Sequence, residues 1–234
     1  MKILALDTAT ENCSAALLLD GQLTARERLL ERGHAENILA MIDEVLAAAG
    51  ASLAGVTAIA FGRGPGSFTG VRLAASVTQG LAHGGGVPVV PVSDLAAVAQ
   101  RVLADDAAAQ RVLVCNDARM REVYWGCFAR SAADLAAPVG EERVGDPGEV
   151  TLPAGWSAGP DLRGAGSGFL AYPQLRSALS GVLAGIRDLR PRAAEIAQLA
   201  VPEVIAGRLF SPEDALPVYL RDDVVQATVS PSLN

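Results

Sequence analysis

The sequence predicts an α/β protein made of two similar lobes. Apolar segments of strand length alternate along the chain with longer segments whose apolar residues recur at helical spacing. The opening stretch Leu4 to Ala9 has a counterpart in Val114 to Arg119, since both are apolar strands that end at an aspartate and precede a second strand. The two aspartates, Asp7 and Asp117, lie close to half a chain length apart. This spacing indicates a duplicated lobe.

The length of the chain suits this division. With 234 residues, half of them hydrophobic and 19% charged, the protein can build well-packed lobes of ordinary size. We assign residues 1–104 to an N-terminal lobe and residues 105–234 to a C-terminal lobe. The tail at Leu216 to Arg221 is predicted to be extended and to pack back on a lobe, and the end of the chain beyond it to be frayed.

Composition argues against several classes of protein. The formal net charge of −7 disfavours a surface that holds nucleic acid unaided, because that affinity comes largely from neutralising phosphates. The three cysteines, Cys13, Cys115 and Cys127, are odd in number and form no CxxC pair, so neither a disulfide framework nor a zinc site is expected, and their role stays open. The chain shows no signal-peptide pattern and no apolar run of about 18 residues. We expect a cytoplasmic protein without a membrane segment.

The first lobe is predicted to open with three strands and a helix. The strands are Ile3 to Leu6, Ser14 to Leu19 and Gln22 to Leu30, and a turn at Asp20-Gly21 joins the last two. Leu39 lies off the apolar stripe of the following helix, so we expect it to be exposed. That helix stops at Gly50, and its stripe consists of Ile38, Met41, Ile42, Val45, Leu46 and Ala49.

A glycine-rich turn occupies the centre of the first lobe. Residues 62–70 hold four glycines and a proline between the predicted strand Val56 to Phe61 and the helix Val71 to His83. This is where a phosphate-binding loop would lie, but the lysine of a P-loop and the G-x-G-x-x-G spacing are both missing. Close packing or contact with a partner is the alternative that the alanine-rich helix favours. The lobe closes with a strand over Val87 to Val92 and a helix over Asp94 to Leu103 capped by Ser93.

The second lobe repeats this pattern less regularly. Strands are predicted at Arg111 to Asp117 and at Glu122 to Phe128, and a second glycine-dense loop lies between Gly155 and Gly168. A helix is predicted over Pro191 to Ala200, with Pro191 in its first turn.

Candidate catalytic residues are few. Ser67 and Ser167 lack the G-x-S-x-G setting, and His34 and His83 each stand alone at a helix end, so neither a serine hydrolase nor a metal site is indicated. Asp7 and Asp117 are weak candidates for holding a metal-nucleotide across a cleft, although strand-end aspartates more often cap turns.

Four segments together resemble the bacterial TsaB family, also called YeaZ. They are Leu4-Ala5-Leu6-Asp7-Thr8-Ala9-Thr10, Gly64-Pro65-Gly66-Ser67-Phe68-Thr69-Gly70-Val71-Arg72, Asp117-Ala118-Arg119 with Glu122-Val123-Tyr124-Trp125, and Pro217-Val218-Tyr219-Leu220-Arg221. The resemblance implies the two-lobed actin, sugar kinase and Hsp70-like (ASKHA) fold, with a mixed five-stranded sheet and flanking helices in each lobe.

The resemblance also implies a function. It is that of a non-catalytic subunit in the formation of threonylcarbamoyladenosine beside the anticodon of tRNAs that read codons beginning with A. Its paralogue TsaD carries out the transfer, the ATPase TsaE is a third member, and tRNA is reached only through the complex. TsaD holds a metal through an H-x-x-x-H motif, whereas the corresponding positions here are Asp94 and Val98, so no cofactor or metal is expected.

The partner surface is assigned, from the resemblance, to residues 33–46 and 66–79. The same surface is expected to give a homodimer when TsaD is missing. Two alternatives stay open: a nucleotide-binding ATPase or kinase of the same fold, and a protease. The predicted partner-binding residues are His34, Ile38, Leu39, Met41, Ile42, Gly66, Phe68, Val71, Arg72, Ala74, Ala75 and Thr78.

Overall fold

The computed structural model describes residues 1–221 and contains two mixed β-sheets with helices between and outside them. The expected fraying of the chain end falls on residues 222–234, outside the described part. The strands are β1 (Lys2–Asp7), β2 (Asn12–Leu19), β3 (Gln22–Leu29), β4 (Ala58–Gly62), β5 (Val89–Val92), β6 (Arg111–Asp117), β7 (Val123–Arg130), β8 (Ala136–Pro138), β9 (Arg143–Gly145), β10 (Leu162–Ala165) and β11 (Ile186–Arg187). The helices are α1 (His34–Ala48), α2 (Phe68–Gly85), α3 (Asp94–Asp105), α4 (Gly168–Ala171), α5 (Pro173–Leu179) and α6 (Ala193–Ile205).

The two sheets have the same strand order, which confirms the predicted duplication. The first runs β3-β2-β1-β4-β5 and the second β8-β7-β6-β10-β11, with β9 added beside β7. In each sheet the opening strand pairs antiparallel with the next strand and parallel with the strand on its other side. β1 and β6 therefore occupy equivalent central positions, and their terminal aspartates lie at equivalent edges.

Each sheet buries one face against a helix from the other half of the chain. Helix α6 packs on β1, β2 and β4 through Ile196, Ala197 and Ala200. Helix α3 packs on β6 and β7 through Val98 and Val102. Helix α6 thus belongs to the core of the first sheet. The C-terminal half of the chain therefore packs a whole helix, in addition to its tail, against the N-terminal lobe. The boundary between residues 104 and 105 stays a prediction.

Several element boundaries differ from those predicted. Helix α2 begins at Phe68 rather than Val71, because the Ser67 side chain accepts a hydrogen bond from the Gly70 amide and caps it. Pro191 lies before α6 and not in its first turn, since Arg192 is the capping position. The prediction for α3 is confirmed at its start, where the Ser93 hydroxyl accepts from the Ala96 amide. No helix in residues 1–221 combines the length and apolarity needed to span a membrane.

Candidate functional site

The glycine-rich turn packs against the backbone that follows β1. A Cβ added at Gly70 would lie 2.1 Å from the Thr8 carbonyl oxygen, and one at Gly66 would lie 2.7 Å from that of Ala9. The Thr8 hydroxyl donates to the Gly70 carbonyl at 2.6 Å, and the Ser67 amide donates to the Ala9 carbonyl at 2.8 Å. Both glycines are therefore explained by close approach within the first lobe, and neither needs a phosphate.

The second glycine-dense loop makes the matching contact in the second lobe. A Cβ at Gly166 would lie 2.3 Å from the Cys115 carbonyl oxygen, and one at Gly168 would lie 2.9 Å from it. The Ser167 hydroxyl accepts from the Asp117 amide at 3.0 Å. In both lobes, glycines at the start of a helix thus pack on the end of the central strand.

Asp7 does not face the cleft between the lobes, contrary to the metal-nucleotide hypothesis. Its side chain is fully buried at the end of β1, where it accepts a hydrogen bond from the Ala9 amide at 2.8 Å. Asp94, at the start of α3, is also fully buried and accepts from the Gly64 amide at 2.5 Å. The two carboxyl groups lie side by side, and neither Asp7 Oδ2 nor Asp94 Oδ1 has a hydrogen-bond partner among residues 1–221, so one proton held between the two groups would satisfy both.

Burial favours the protonated form of both carboxyl groups, so their pKa values are raised. Desolvation raises the pKa of Asp7 to about 6. Desolvation, followed by the nearby charge of Asp7, raises the pKa of Asp94 well above its usual range. Gly62 borders the pair, since a Cβ there would lie 2.4 Å from Asp94 Oδ1. This pairing was not predicted from the sequence, although β1 and β5 belong to one parallel set of strands, whose ends at one sheet edge bring both residues together.

Asp117 occupies a different environment from Asp7. Its carboxylate accepts hydrogen bonds from the Tyr172 hydroxyl at 2.9 Å and from the Arg119 amide at 2.9 Å, and it pairs with the Arg119 guanidinium at 3.1 Å. Asp117 lines the cleft, whereas Asp7 does not. The structure thus separates the two candidates instead of bringing them to one site.

A cleft of about 1030 Å³ lies between the lobes. One wall is formed by residues 8–11 and the glycine-rich turn, and the opposite wall by residues 116–119 and Ser167. Residues 218–221 of the tail complete its lining. Among residues 1–221 no group of three or more histidine, cysteine, aspartate or glutamate side chains could hold a metal ion.

Seven of the predicted partner-binding residues lie in the core of the first lobe, so their assignment to an open surface is wrong. The reason is that the apolar stripes of α1 and α2 cover the sheet. Exposed at this face are Leu39 (51%), Phe68 (45%) and Arg72, while His34 and Gly66 are partly exposed. The buried residues are Ile38, Met41, Ile42, Val71, Ala74, Ala75 and Thr78.

The serines and histidines of the cleft do not form a nucleophile and base. His34 Nε2 lies 2.8 Å from the Thr10 carbonyl oxygen, and Ser67 is engaged with the Gly70 amide. Val98, at the second position that corresponds to the TsaD metal motif, is fully buried among apolar side chains. The part of the chain covered by the structure places neither serine in a hydrogen bond to a histidine.

Two sheets of the same strand order, each packed against a helix from the other half of the chain, with a cleft between the lobes, define a two-lobed α/β protein built on a duplicated unit. The sequence model of the TsaD family, described as tRNA N6-adenosine threonylcarbamoyltransferase, matches residues 28–160. The tRNA threonylcarbamoyladenosine biosynthesis protein TsaB of Escherichia coli is 40% identical, with 96% of each chain covered. That of Haemophilus influenzae is 38% identical, with 96% of this chain and 95% of the relative covered. The chain belongs to the TsaB family.

Solved structures support the same assignment. YeaZ from Pseudomonas aeruginosa superimposes with a TM-score of 0.83 at 41% identity, over 94% of this chain and 99% of that one. A second structure from this organism, described as an uncharacterized protein with similarity to peptidase YeaZ, gives a TM-score of 0.87 at 42% identity with the same coverage. The family prediction and the prediction of a two-lobed α/β fold are therefore confirmed, except that the second sheet has six strands where five were expected.

Proposed function

We propose that this protein is a non-catalytic scaffold subunit in tRNA threonylcarbamoyladenosine biosynthesis, where it binds and activates a TsaD paralogue. The observation that carries the proposal is the likeness to proteins named for this biosynthesis, which extends over 96% of the chain. The lack of a paired nucleophile and base in residues 1–221 agrees with a role that is not catalytic.

The structure suggests which surface meets the partner. The TsaD family model spans residues 28–160 and so includes α1 and α2, which means that a TsaD chain has counterparts of both helices. Two related chains can pair through equivalent helices about an approximate twofold axis. The exposed side of this pair, with Leu39, Phe68 and Arg72, is the docking surface that we propose. In the absence of TsaD, the same surface would give a homodimer.

Size-exclusion chromatography with the cognate TsaD tests the proposal. The wild-type chain should co-elute with TsaD, and Leu39→Arg should weaken that association because it places a charge on the docking surface. Ile205→Arg is the matched control, since Ile205 is an equally apolar and 75% exposed residue at the end of α6. A failure of the wild-type chain to co-elute would contradict the scaffold role. An equal loss of TsaD binding in both variants would contradict the assignment of the docking surface to Leu39, Phe68 and Arg72.

Reconstitution of the modification reaction from purified proteins tests the proposed activation of TsaD. Threonylcarbamoyl transfer to tRNA by TsaD and TsaE should require this chain, which by itself should neither bind tRNA nor catalyse the transfer. Full modification without the chain would contradict activation.

The cleft between the lobes favours a second candidate, a nucleotide-binding ATPase or kinase. Its volume of about 1030 Å³ and the presence of Asp117 on one wall support this alternative. Against it, Asp117 is already paired with Arg119 and Tyr172. Calorimetry with ATP and magnesium distinguishes the two, because binding by the isolated chain at low micromolar affinity would favour the nucleotide-binding candidate.

A further inference from the structure

Segment 215–221, which we term the C-terminal strap, is fixed to the first lobe at several points. Ala215 is fully buried in the core formed by α1, α2 and the first sheet, and its carbonyl accepts from Gln79 Nε2 at 3.1 Å. The Val218 amide donates to the Arg63 carbonyl in the glycine-rich turn at 2.8 Å. The absence of a side chain at Gly64 leaves room for this contact, because a Cβ there would lie 3.0 Å from the Val218 carbonyl oxygen.

Tyr219 fastens the strap to the first turns of α2. Its hydroxyl accepts a hydrogen bond from Arg72 Nε at 2.7 Å, and its ring centroid lies 5.7 Å from that of Phe68. The Arg72 guanidinium carbon lies 3.5 Å from the centroid of the Phe68 ring, so the three side chains form one stack. Exposed parts of Phe68 and Tyr219 thus form a joint surface.

Arg221 fastens the other end of the strap to the second lobe. Its guanidinium pairs with the Glu122 carboxylate and donates to the Ala118 carbonyl at 3.3 Å. Both residues belong to the β6–β7 hairpin, whose turn places Arg119, Met120 and Arg121 in succession at positive φ angles of 61°, 53° and 65°. Three successive positive φ angles are energetically unfavourable for residues other than glycine. The contacts of Arg221 with Glu122 and Ala118 therefore help to hold the hairpin in this conformation.

We propose that the C-terminal strap is a conformational coupler, which closes the mouth of the cleft and transmits movement between the β6–β7 hairpin and the first turns of α2. The strap crosses from one lobe to the other within seven residues and lines the cleft with residues 218–221. The contacts of Val218 with the first lobe and of Arg221 with the second are only three positions apart in the chain, so release at Arg221 loosens Val218 and Tyr219 as well. In the reverse direction, a displacement of Phe68 and Arg72 shifts Tyr219, and this shift is passed along the strap to Arg221 and the hairpin.

Amide hydrogen exchange, followed by NMR on the full chain, tests the coupling. Arg221→Ala and Glu122→Gln each remove a second-lobe contact, and the readout is the Val218 amide, whose acceptor Arg63 lies in the first lobe. We expect its exchange rate to rise about tenfold in both variants, as is typical for the loss of a hydrogen bond to a charged group. In the reverse direction, Tyr219→Phe should accelerate exchange of the Ala118 and Glu122 amides, which are bonded within the hairpin.

Arg208→Ala is the matched control. It removes an ion pair with Glu203 that touches neither the strap nor the hairpin, and it should leave the Val218 and Glu122 amides unchanged. The thermal midpoint of each variant verifies that the lobes remain folded. Unchanged exchange at Val218 in both Arg221→Ala and Glu122→Gln would overturn the proposal, and so would an equal acceleration in Arg208→Ala.

Discussion

Asp7 and Asp94 form a buried pair of carboxyl groups that joins the end of β1 to the start of α3. Neither side chain is exposed, and each also accepts a backbone amide, from Ala9 and Gly64 respectively. The pair therefore links the central strand of the first sheet to the glycine-rich turn.

This pair predicts an unusual pH dependence of stability. An unfolded chain ionises aspartate near pH 4, about two units below the pKa of about 6 that Asp7 has in the folded state. The folded state binds more protons in this window, so the free energy of unfolding falls as the pH rises, by up to about 1.4 kcal/mol per pH unit. The raised pKa of Asp94 extends the fall to higher pH.

Denaturant titrations between pH 5 and pH 8 measure this effect. Asp94→Asn should weaken the pH dependence, since it removes one of the two titrating groups and its neutral amide can donate to Asp7 and still accept from Gly64. Asp43→Asn, at an exposed position of α1, is the control and should behave like the wild type. A wild-type stability that rises over this range would contradict the shared proton.

Two glycines of α2 should respond oppositely to the same substitution. Gly70→Ala forces a methyl group against the Thr8 carbonyl, where a Cβ would lie 2.1 Å away, and should cost about 3 kcal/mol or more of stability. Gly80→Ala meets nothing within 4 Å and should stabilise the helix by about 1 kcal/mol. Thermal unfolding of both variants checks the prediction, and equal effects would disprove it.

Two neighbouring residues of α2 should also differ in their tolerance of charge. Ala75 is 4% exposed in the core of the first lobe, so Ala75→Glu should cost more than about 3 kcal/mol. Ser76 is exposed, and Ser76→Glu should change stability by less than about 0.5 kcal/mol. Chemical denaturation measures both. A stable Ala75→Glu monomer would instead restore the expectation that this alanine belongs to a partner surface.

The three cysteines should be unreactive in the folded protein. Burial raises the pKa of Cys13 and of Cys127 to about 11 and that of Cys115 well above its usual range, so little thiolate forms near neutral pH. A disulfide reagent at pH 8 should label the native chain at least about a hundredfold more slowly than the denatured chain. Rapid labelling of one thiol under native conditions would show that its burial is incomplete.

Much of the fold could be predicted because its signals are local. Short apolar runs and the Asp20-Gly21 turn specified β1 to β3, and the stripe from Ile38 to Leu46 specified α1 with Leu39 exposed. The alanine-rich helix α2 was harder to interpret, because alanine suits a core and a helix interface equally well. Ala74 and Ala75 were therefore assigned to the wrong side of the helix.

The sequence by itself determined the duplicated α/β architecture, the family and the glycine-rich turn, because each depends on residues that are close together in the chain. Only the tertiary structure decided what those glycines contact, that Asp7 lies beside Asp94 in the core, and that Arg221 reaches Glu122. These relationships join residues that are far apart in the chain: Gly70 lies 62 positions from Thr8, and Arg221 lies 99 positions from Glu122. Their physical basis is the crossing of strands, helices and tail at one sheet edge, where burial and close packing act on side chains that no local pattern connects.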